Sequence, residues 1–504
     1  MSRKQHSKIT AEVDKAKRGG HIGALFDLDR TLLSGFSATS FMWERLLSGG
    51  MTAKEAMSTF VAARNYLSGD SSFSNTEATT LKALKGVSEQ TFIELGEAIY
   101  DKHLADMIYP EVRALVKAHK VKGHTLVMTS SATPYQIEPV ARALGIEHVL
   151  CTRFEVEEGV FTGKVIPPAC QGEGKAVAAR NLAKQCGLEL DQSYFYTESA
   201  EDLPLLEVVG KPRPLNPEAK LENIAADCHW PIQRFGPPVK VGMQQALRNG
   251  LVFAGLVPSA AMGLSIGMLT GSTRRGADAA ARTWCDIACA AIGINVRVHG
   301  REHLWSHRPA VFIYNHQSTA DSMIVPKVLE HDFVGVAKKE IADTPIYGQF
   351  VKAAGTVLID RSDSTQARAD LEPALEALRN GRSIVIAPEG TRSGSTELGQ
   401  FRKGAFHIAM QAGVPIVPFV VHNAIDVAPQ GAKIFRPATV EVEVLPPIDT
   451  SKWSAKNLNA HVQEVRNLFL ECLGEKVPAA KTRARGSKSP ARKNPRKAAG
   501  KTAA

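Results

Sequence analysis

The chain reads Val311-Phe312-Ile313-Tyr314-Asn315-His316-Gln317-Ser318-Thr319-Ala320-Asp321, an apolar run that leads into a polar segment. The apolar run predicts a short buried strand, and Ser318 or Thr319 is predicted to cap a helix behind it. His316 and Asp321 are five positions apart, so they do not share a face of one helix and must lie on either side of a bend. A carboxylate that orients an imidazole lets it act as a base near neutral pH, and this pair can perform that chemistry.

A second block, in which Glu389 lies 73 residues after His316, repeats the arrangement. The stretch Ser383-Ile384-Val385-Ile386-Ala387 predicts a strand, and Pro388-Glu389-Gly390-Thr391-Arg392 is the turn after it. Arg392 offers a planar fork of donors suited to a phosphate, and Gly390 lets the backbone approach a ligand closely. Because sheet enzymes usually hold their chemistry at strand ends, the two blocks predict one divided active site.

These residues resemble the glycerolipid acyltransferase family. Its H-x4-D motif matches His316 and Asp321, and its E-G-T-R motif matches the block from Glu389 to Arg392. Further family-like stretches are Gly355-Thr356-Val357-Leu358-Ile359-Asp360-Arg361, Phe401-Arg402-Lys403-Gly404-Ala405 and Val414-Pro415-Ile416-Val417-Pro418. A lone H-x4-D is a weak signal, but five blocks in the family's order over roughly residues 295 to 447 are a strong one.

The resemblance implies a 1-acylglycerol-3-phosphate O-acyltransferase that makes phosphatidic acid in phospholipid biosynthesis. The acyl donor would be acyl-CoA, as co-substrate, or acyl carrier protein. His316 would be the general base and Asp321 its orienting partner. The acceptor's phosphate side would be held by Glu389, Gly390, Thr391, Arg392 and Arg361, with Lys403 as a weaker candidate. This half needs no metal or other cofactor, because the thioester is already activated. A different lysophospholipid acceptor remains an alternative.

A second group of acidic residues lies near the N-terminus, where Gly23-Ala24-Leu25-Phe26 is followed by Asp27-Leu28-Asp29-Arg30-Thr31. Two carboxylates at i and i+2 on an extended segment point the same way, which suits a metal or a nucleophile with an acid/base partner. Before residue 235 the chain alternates short apolar runs with helical patterns, which predicts a parallel sheet with crossover helices.

This D-x-D-x-T pattern resembles the haloacid dehalogenase superfamily, in its phosphoserine-phosphatase-like branch. The family's later landmarks match Thr129 and Ser130 after a strand, then Lys175, then the acidic block from Tyr194 to Pro204. The resemblance implies that Asp27 is the nucleophile and Asp29 the general acid/base. Thr129, Ser130 and Lys175 would bind the phosphoryl group. Mg²⁺ would be held by Asp27, the backbone carbonyl of Asp29, Glu198 and Asp202.

Glu198 departs from the family pattern, which usually has Asp at this position. The extra methylene must be absorbed by a metal that demands near-octahedral geometry. Two interpretations therefore stay open for this domain: a Mg²⁺-dependent phosphomonoester hydrolase, or an inactive regulatory module.

The segment Leu251 to Gly271 contains 21 residues without a charge, long enough to span a bilayer at about 20 residues for a ~30 Å core. Pro258 near its start favours a kink or a re-entrant turn. Small residues recur at every fourth position, and they predict a smooth helical stripe against the amphipathic segment 277–292. They are Gly255, Ser259, Gly263, Gly267 and Gly271. We predict a helical hairpin that dips into the membrane, and a buried soluble helix is the alternative.

The net charge of +10 belongs to the C-terminal tail, because residues 476–504 carry ten Lys or Arg and no acid. Such a tail is predicted to be disordered and attracted to anionic headgroups, at about 1 kcal/mol per basic residue near the surface. A solvated tail without a partner is the alternative, and nucleic acid is not the expected partner. Seven scattered cysteines without a CxxC pair suggest neither a disulfide framework nor a zinc site.

The predicted fold class is α/β, with a Rossmann-like haloacid dehalogenase domain and helical cap, a membrane-associated hairpin and an α/β acyltransferase domain. The predicted segments are a polar arm (1–20), the phosphatase domain (21–232, cap about 34–110), a linker (233–245), the hairpin (246–293), the acyltransferase domain (294–473) and the tail (474–504). The N-terminus lacks a secretory signal, so the predicted location is the cytoplasmic face of the cell membrane. The non-enzymatic alternative is a protein that tethers a membrane to nucleic acid through the hairpin and the tail. It would leave all five acyltransferase blocks unexplained.

Overall fold

The computed structural model describes residues 3–47, 84–236, 243–343, 347–359, 372–392, 397–429, 432 and 434–475. Arg361, the basic tail from residue 476, the middle of the predicted cap and part of the linker lie outside the described residues. The described chain contains two separate parallel-rich sheets with helices around them, which confirms the predicted α/β class.

The N-terminal sheet has the strand order β3-β2-β1-β6-β7, and all its pairs are parallel. Its strands are β1 (Gly23–Asp27), β2 (Thr125–Ser130), β3 (His148–Cys151), β6 (Tyr194–Thr197) and β7 (Lys211–Pro214). An antiparallel hairpin, β4 (Arg153–Glu157) and β5 (Val160–Ile166), stands apart from it. The central position of β1 places its carboxyl end between those of β2 and β6.

The longer helices of this half are α1 (Arg3–Lys15), α2 (Ser37–Leu47), α3 (Glu89–Ile99), α4 (Pro110–Lys122), α5 (Pro134–Leu144), α6 (Glu173–Cys186) and α7 (Ala219–Asp227). Helices α2 and α3 belong to the predicted cap. The chain enters and leaves the cap side by side, where the Ser34 amide donates to the Met107 carbonyl at 2.8 Å and Leu33 pairs with Ile108. We call residues 33–35 and 106–109 the cap connection.

A buried chain of hydrogen bonds ties the N-terminal arm to this sheet. His119 Nδ1 lies 2.8 Å from His124 Nδ1, His119 Nε2 lies 2.9 Å from the Tyr196 hydroxyl, and His124 Nε2 lies 2.8 Å from the Lys17 carbonyl. Because a carbonyl only accepts, His124 Nε2 carries a proton. With both rings neutral, His119 Nδ1 then donates to His124, and the Tyr196 hydroxyl donates to His119 Nε2. Burial lowers the pKa of both histidines, so the network is stable in its neutral form.

A His119→Phe variant is expected to lose about 1–3 kcal/mol of unfolding free energy at pH 7.5, because the Tyr196 hydroxyl and His124 lose their partner. The loss should shrink as the pH falls toward 5.5. Below the ordinary histidine pKa of about 6.5, the unfolded wild type takes up protons that its folded state resists. Urea unfolding of the full chain at pH 7.5, 6.5 and 5.5 measures the difference, with exposed His307→Phe as control. A difference that stays constant with pH would contradict the assigned network.

Three helices lie between the two sheets along the chain: α8 (Met243–Ala254), α9 (Leu256–Thr270) and α10 (Thr273–Ile292). A break at Gly255 lies between α8 and α9, three residues before Pro258. The small-residue stripe of α9 lies against α10: a Cβ added at Gly263 would lie 2.7 Å from the Gly276 carbonyl oxygen. Residues Leu247–Thr270 form one apolar stretch of 24 residues that is long enough to cross a membrane by length and composition.

The C-terminal sheet has the order β11-β10-β12-β9-β13-β14-β8, and its β13–β14 pair is antiparallel while the others are parallel. The strands are β8 (Ile294–His299), β9 (Val311–Tyr314), β10 (Phe333–Lys338), β11 (Val357–Ile359), β12 (Ser383–Ile386), β13 (Ile416–Val421) and β14 (Ala438–Val444). The helices are α11 (Asp321–Leu329), α12 (Tyr347–Ala353), α13 (Glu372–Arg379), α14 (Gly404–Ala412) and α15 (Leu458–Leu473). Strands β9 and β12 are neighbours, which brings the two sequence blocks together.

Candidate functional site

The imidazole of His316 and the carboxylate of Asp321 form a hydrogen-bonded pair at the end of β9. Asp321 is the first residue of α11, and its Oδ2 lies 2.7 Å from His316 Nδ1. The same oxygen accepts the backbone N–H groups of Gln317 and Ser318 at 3.1 Å each. Asp321 is 1% exposed, whereas the His316 side chain is 26% exposed. The buried carboxylate accepts the Nδ1 proton, which leaves the Nε2 lone pair available to remove a proton from a substrate.

The predicted helix cap at Ser318 or Thr319 is wrong. The residue before α11 is Ala320, which has no capping side chain. The Ser318 hydroxyl instead donates to the Ala428 carbonyl at 2.7 Å and accepts the Ala320 amide at 3.0 Å. The long-range bond to Ala428 and the carboxylate of Asp321 together hold the bend that a local cap was expected to hold.

Glu389 joins the two blocks through backbone contacts. Its Oε1 accepts the His316 amide and its Oε2 accepts the Gly399 amide, both at 2.8 Å. Burial raises the pKa of Glu389, while these two donors oppose that shift. Both carboxylate oxygens are thus occupied by protein donors, so the geometry favours a role in holding the His316 loop. Direct contact of Glu389 with a phosphate stays a prediction.

Two of the predicted phosphate-binding residues of the second block, Thr391 and Arg392, are exposed, whereas Gly390 is buried. Arg392 Nη1 donates to the Thr319 hydroxyl at 2.6 Å, which places the guanidinium beside the first block. Gly390 has φ 78°, a conformation that favours glycine, and a Cβ there would lie 2.8 Å from Arg402 Nε, so the Arg402 side chain would have to move. Thr391 is exposed next to Arg392, and Lys403 precedes α14 on the surface. Thr319 was not predicted as a partner of Arg392, because no local pattern reports a contact across 73 residues.

A groove of about 600 Å³ leads from the hairpin helices to the His316–Asp321 pair. Its walls are mainly apolar and include Val252, Phe253, Trp284, Cys285, Met323, Phe333 and Phe435. Its polar residues include His316, Asp321, Thr391 and Arg392. An apolar channel that ends at a base and an arginine suits a ligand with a hydrocarbon chain and a polar or anionic head.

The second candidate site lies where β1, β2 and β6 end. Lys175, in the first turn of α6, donates from Nζ to Asp27 Oδ1 at 2.6 Å and lies 2.8 Å from Asp202 Oδ1. All three are buried. Burial opposes the charge of Lys175, but Asp202 and Asp27 raise its pKa overall. Burial also raises the pKa of Asp27, and Lys175 counteracts that shift. Lys175 is therefore a fixed positive charge beside the candidate nucleophile.

Asp29 follows Asp27 in a tight turn in which Arg30 has φ 57°. Its carboxylate accepts the Ser37 amide at 2.6 Å and the Ser37 hydroxyl at 3.2 Å, both from the first residue of α2. Burial raises the pKa of Asp29 to about 6, although the two Ser37 hydrogen bonds oppose the shift. A carboxyl group that titrates near pH 6 can both donate and accept a proton under physiological conditions. Ser37 was not predicted from the sequence, because it acts through a contact made by the cap.

The hydroxyl residues predicted at the end of β2 are buried beside this site. Thr129 Oγ1 lies 3.6 Å from Cys170 Sγ, and the Ser130 hydroxyl accepts the Ala132 amide at 3.1 Å. Thr197, which was not predicted, donates to Asp202 Oδ2 at 2.6 Å. Asp202 is thereby held by both Thr197 and Lys175, and its predicted contact with a metal stays a prediction.

Two of the predicted metal-binding carboxylates, Asp27 and Glu198, interact electrostatically with each other. Glu198 accepts the Thr31 hydroxyl at 2.7 Å, and burial raises the pKa of Glu198 to about 7. The charge of Glu198 also raises the pKa of Asp27, so the two groups repel each other when both are ionised. In the part of the chain that the structure describes, no three His, Cys, Asp or Glu side chains group together as ligands. Two carboxylates with the Asp29 carbonyl and water fit Mg²⁺, which usually keeps several waters.

Two family models match the chain. A haloacid dehalogenase-like hydrolase model matches residues 24–207, and an acyltransferase model matches residues 295–422. Each match contains one of the two candidate sites.

The curated relatives divide in the same way. A putative hydrolase of Mycobacterium leprae is 34% identical over 242 residues, which cover 46% of this chain and 80% of that protein. A phosphoserine phosphatase of Mycobacterium tuberculosis is 34% identical over 45% of this chain and 76% of its own length. A 1-acyl-sn-glycerol-3-phosphate acyltransferase of Saccharomyces cerevisiae is 34% identical over 36% of this chain, and the match spans 61% of that enzyme.

Among solved structures, a Bordetella pertussis protein of unknown function is 27% identical with a TM-score of 0.39, covering 43% of this chain and 99% of that one. The 1-acyl-sn-glycerophosphate acyltransferase of Thermotoga maritima is 23% identical with a TM-score of 0.38, covering 46% and 98%.

Proposed function

Because the chain belongs to the haloacid dehalogenase-like hydrolase family and carries an acyltransferase domain after it, we propose a two-site enzyme of phospholipid biosynthesis. The C-terminal site would move an acyl group from acyl-CoA, or acyl carrier protein, to 1-acylglycerol 3-phosphate. The observation that carries this proposal is the His316–Asp321 pair beside Arg392 in an apolar groove.

In the proposed reaction, His316 Nε2 removes the proton from the acceptor's free hydroxyl while Asp321 stabilises the imidazolium that forms. The hydroxyl oxygen attacks the thioester carbonyl carbon. The tetrahedral intermediate then expels the thiolate, which takes the proton from His316, so the base is regenerated. Arg392 attracts the acceptor's phosphate, and the hydrocarbon chain lies along the apolar walls.

The test is an assay of the purified protein with palmitoyl-CoA and three acceptors: lysophosphatidate, lysophosphatidylcholine and monoacylglycerol. The proposal expects diacyl product from lysophosphatidate and little from monoacylglycerol, because the latter offers no phosphate to Arg392. A preference for lysophosphatidylcholine would favour the alternative acceptor. The absence of diacyl product with all three acceptors would contradict the proposed acyltransferase function.

For the N-terminal site we propose hydrolysis of a phosphomonoester. Asp27 attacks phosphorus and forms an aspartyl phosphate, while Asp29 gives its proton to the leaving oxygen. Asp29 then takes a proton from the water that hydrolyses the intermediate. Lys175 neutralises phosphoryl charge, and Asp27, Glu198 and the Asp29 carbonyl are the residues that would hold Mg²⁺. Bound Mg²⁺ would supply charge neutralisation at the phosphoryl oxygens.

Glu198 is the observation that keeps the inactive regulatory alternative open for this domain. With a pKa of about 7 it is partly protonated at neutral pH, which weakens it as a cation ligand. Hydrolysis of para-nitrophenyl phosphate, measured with Mg²⁺ and with EDTA, distinguishes an active phosphatase from an inactive regulatory domain. Hydrolysis that EDTA stops supports the phosphatase. If neither the wild type nor a Glu198→Asp variant hydrolyses the ester, the regulatory alternative is favoured.

We propose that the hairpin helices contact the cytoplasmic face of the cell membrane. Their outward side chains are strongly exposed for apolar residues: Val257 is 74% exposed, Leu264 64%, Met268 81% and Leu269 86%. An exposed apolar patch of this kind marks an interaction surface. The stripe side of α9 is covered by α10, so the exposed side is the one that can meet lipid.

A Leu264→Glu/Met268→Glu/Leu269→Glu variant is expected to bind liposomes at least about tenfold more weakly, because three charges must be moved toward hydrocarbon. Co-sedimentation with phosphatidylglycerol-containing vesicles measures the change. The matched control places glutamate at exposed, polar positions of another helix: Asn223→Glu and Lys220→Glu on α7. Full solubility of the wild type without detergent, together with no vesicle binding, would rule out the membrane proposal.

A further inference from the structure

Arg436 of the acyltransferase half reaches into the phosphatase-like half. Its Nη2 donates to the Asp106 carbonyl oxygen and to Asp106 Oδ1, the latter at 2.8 Å. The Arg436 side chain is 14% exposed and that of Asp106 30% exposed. The ion pair is therefore partly shielded from solvent, and a charge-assisted contact of this kind is stronger than a hydrogen bond between neutral groups.

Asp106 belongs to the cap connection. The next residue, Met107, accepts the Ser34 amide at 2.8 Å, and the Tyr109 amide donates to the Leu32 carbonyl at 3.2 Å. Three residues after Ser34 comes Ser37, whose amide and hydroxyl hold the Asp29 carboxylate. The position of the cap connection thus sets the position of the groups that orient the candidate acid/base.

The residue before Arg436 lies in the acyltransferase groove. Phe435 lines the groove together with His316. Helix α8 holds the backbone of Phe435. The Phe435 backbone N–H donates to the side-chain oxygen Oδ1 of Asn249 at 2.9 Å. The side-chain amide groups of Gln245 and Asn249 both donate to the Phe435 carbonyl oxygen. The Arg436 amide donates to the Val427 carbonyl at 2.8 Å. Residues 435 and 436 therefore join the groove wall to the cap connection.

We propose that Arg436 is a positioning residue for the phosphatase-like site and that it transmits the occupancy of the acyltransferase groove to Asp29. A hydrocarbon chain in the groove restrains Phe435, and because Arg436 is the next residue along the same hydrogen-bonded backbone, its position is restrained as well. Arg436 in turn orders the cap connection and, through Ser37, the Asp29 carboxylate. The expected effect on phosphatase kinetics rests on the proposed phosphatase function, but the expected effect on the order of the cap connection does not.

Deuterium exchange of the full-length protein tests the first step without any enzymatic activity. In Arg436→Gln, peptides that contain Ser34 and Tyr109 are expected to exchange about tenfold faster, because the ion pair no longer holds the cap connection. The control is Arg297→Gln, which removes an exposed arginine paired with Glu441 in the same half. The swap Asp106→Arg/Arg436→Asp should restore slow exchange. Unchanged exchange in Arg436→Gln would overturn the proposal.

The second step is tested with S-palmitoyl-N-acetylcysteamine, an acyl thioester without phosphate that cannot enter the other site as a substrate. It is expected to slow exchange at Ser34 and Tyr109 about threefold in the wild type and to have no effect in Arg436→Gln. An equal response in both proteins, or none in the wild type, would overturn the coupling.

Kinetics with para-nitrophenyl phosphate provide the functional readout. Arg436→Gln is expected to lower kcat/KM about tenfold, with recovery in the swap variant, which restores the ion pair with the charges exchanged. A defect of folding unrelated to the ion pair would not be reversed by the swap. A wild type that hydrolyses no ester would remove the proposed phosphatase function while leaving the exchange results to decide on Arg436.

Discussion

His316→Ala is expected to slow acyl transfer by about 10²- to 10⁴-fold. Removal of the imidazole leaves the acceptor hydroxyl with no base, while the groove and Arg392 still bind the substrates. The loss should therefore appear in kcat, with little change in KM. The assay is diacyl product formation from palmitoyl-CoA and lysophosphatidate at saturating concentrations.

Asp321→Asn is the companion variant. The amide oxygen can still accept one backbone N–H, but it does not stabilise an imidazolium as a carboxylate does. A smaller loss than in His316→Ala is expected. Retention of para-nitrophenyl phosphate hydrolysis shows that each variant is folded. If His316→Ala keeps the full rate, His316 is not the base.

Asp27→Asn is expected to reduce phosphatase activity by roughly 10⁴-fold or more, because the amide does not attack phosphorus. The replacement has nearly the same shape as Asp27, so the packing of the site should be kept. Lys175 keeps its contact with Asp202. Hydrolysis of para-nitrophenyl phosphate with Mg²⁺ measures the effect, and acyl transfer should be spared.

Asp191→Asn, at an exposed aspartate of the same half, is the matched control and should leave both activities unchanged. Equal damage to both activities in Asp27→Asn would indicate a folding defect or coupling from the phosphatase-like site to the acyltransferase site. Residual Mg²⁺-dependent hydrolysis near the wild-type rate would show that Asp27 is not the nucleophile.

Much of the fold followed from local patterns. The apolar runs before Asp27 and before His316 are strands because alternating or continuous apolar segments of that length bury best in a sheet. The α/β class was predicted on this basis and is confirmed. The two-family organisation, which the resemblance of the motifs implied, is confirmed as well. The bend between His316 and Asp321 also followed from spacing, because five residues do not share one helical face.

The details of the bend were less predictable. Ser318 was expected to cap a helix, but its hydroxyl bonds to Ala428, 110 residues away. Glu389 was predicted at the substrate, and the structure adds a contact that was not predicted: its oxygens accept the His316 and Gly399 amides. In both cases a hydrogen bond between distant segments determined where the polar group points. The secondary-structure propensity of a residue carries no information on such bonds.

The sequence by itself determined which residues are candidates for the chemistry and which strands they follow, since these depend on side-chain type and on nearest-neighbour spacing. The tertiary structure alone decided which strand ends adjoin and which groups meet there. The pairing of β9 with β12 put Glu389 on the His316 loop, and the packing of the two halves put Arg436 on Asp106. These contacts depend on the closure of long loops and on burial in a shared core, and the free energy of both is a property of the whole chain.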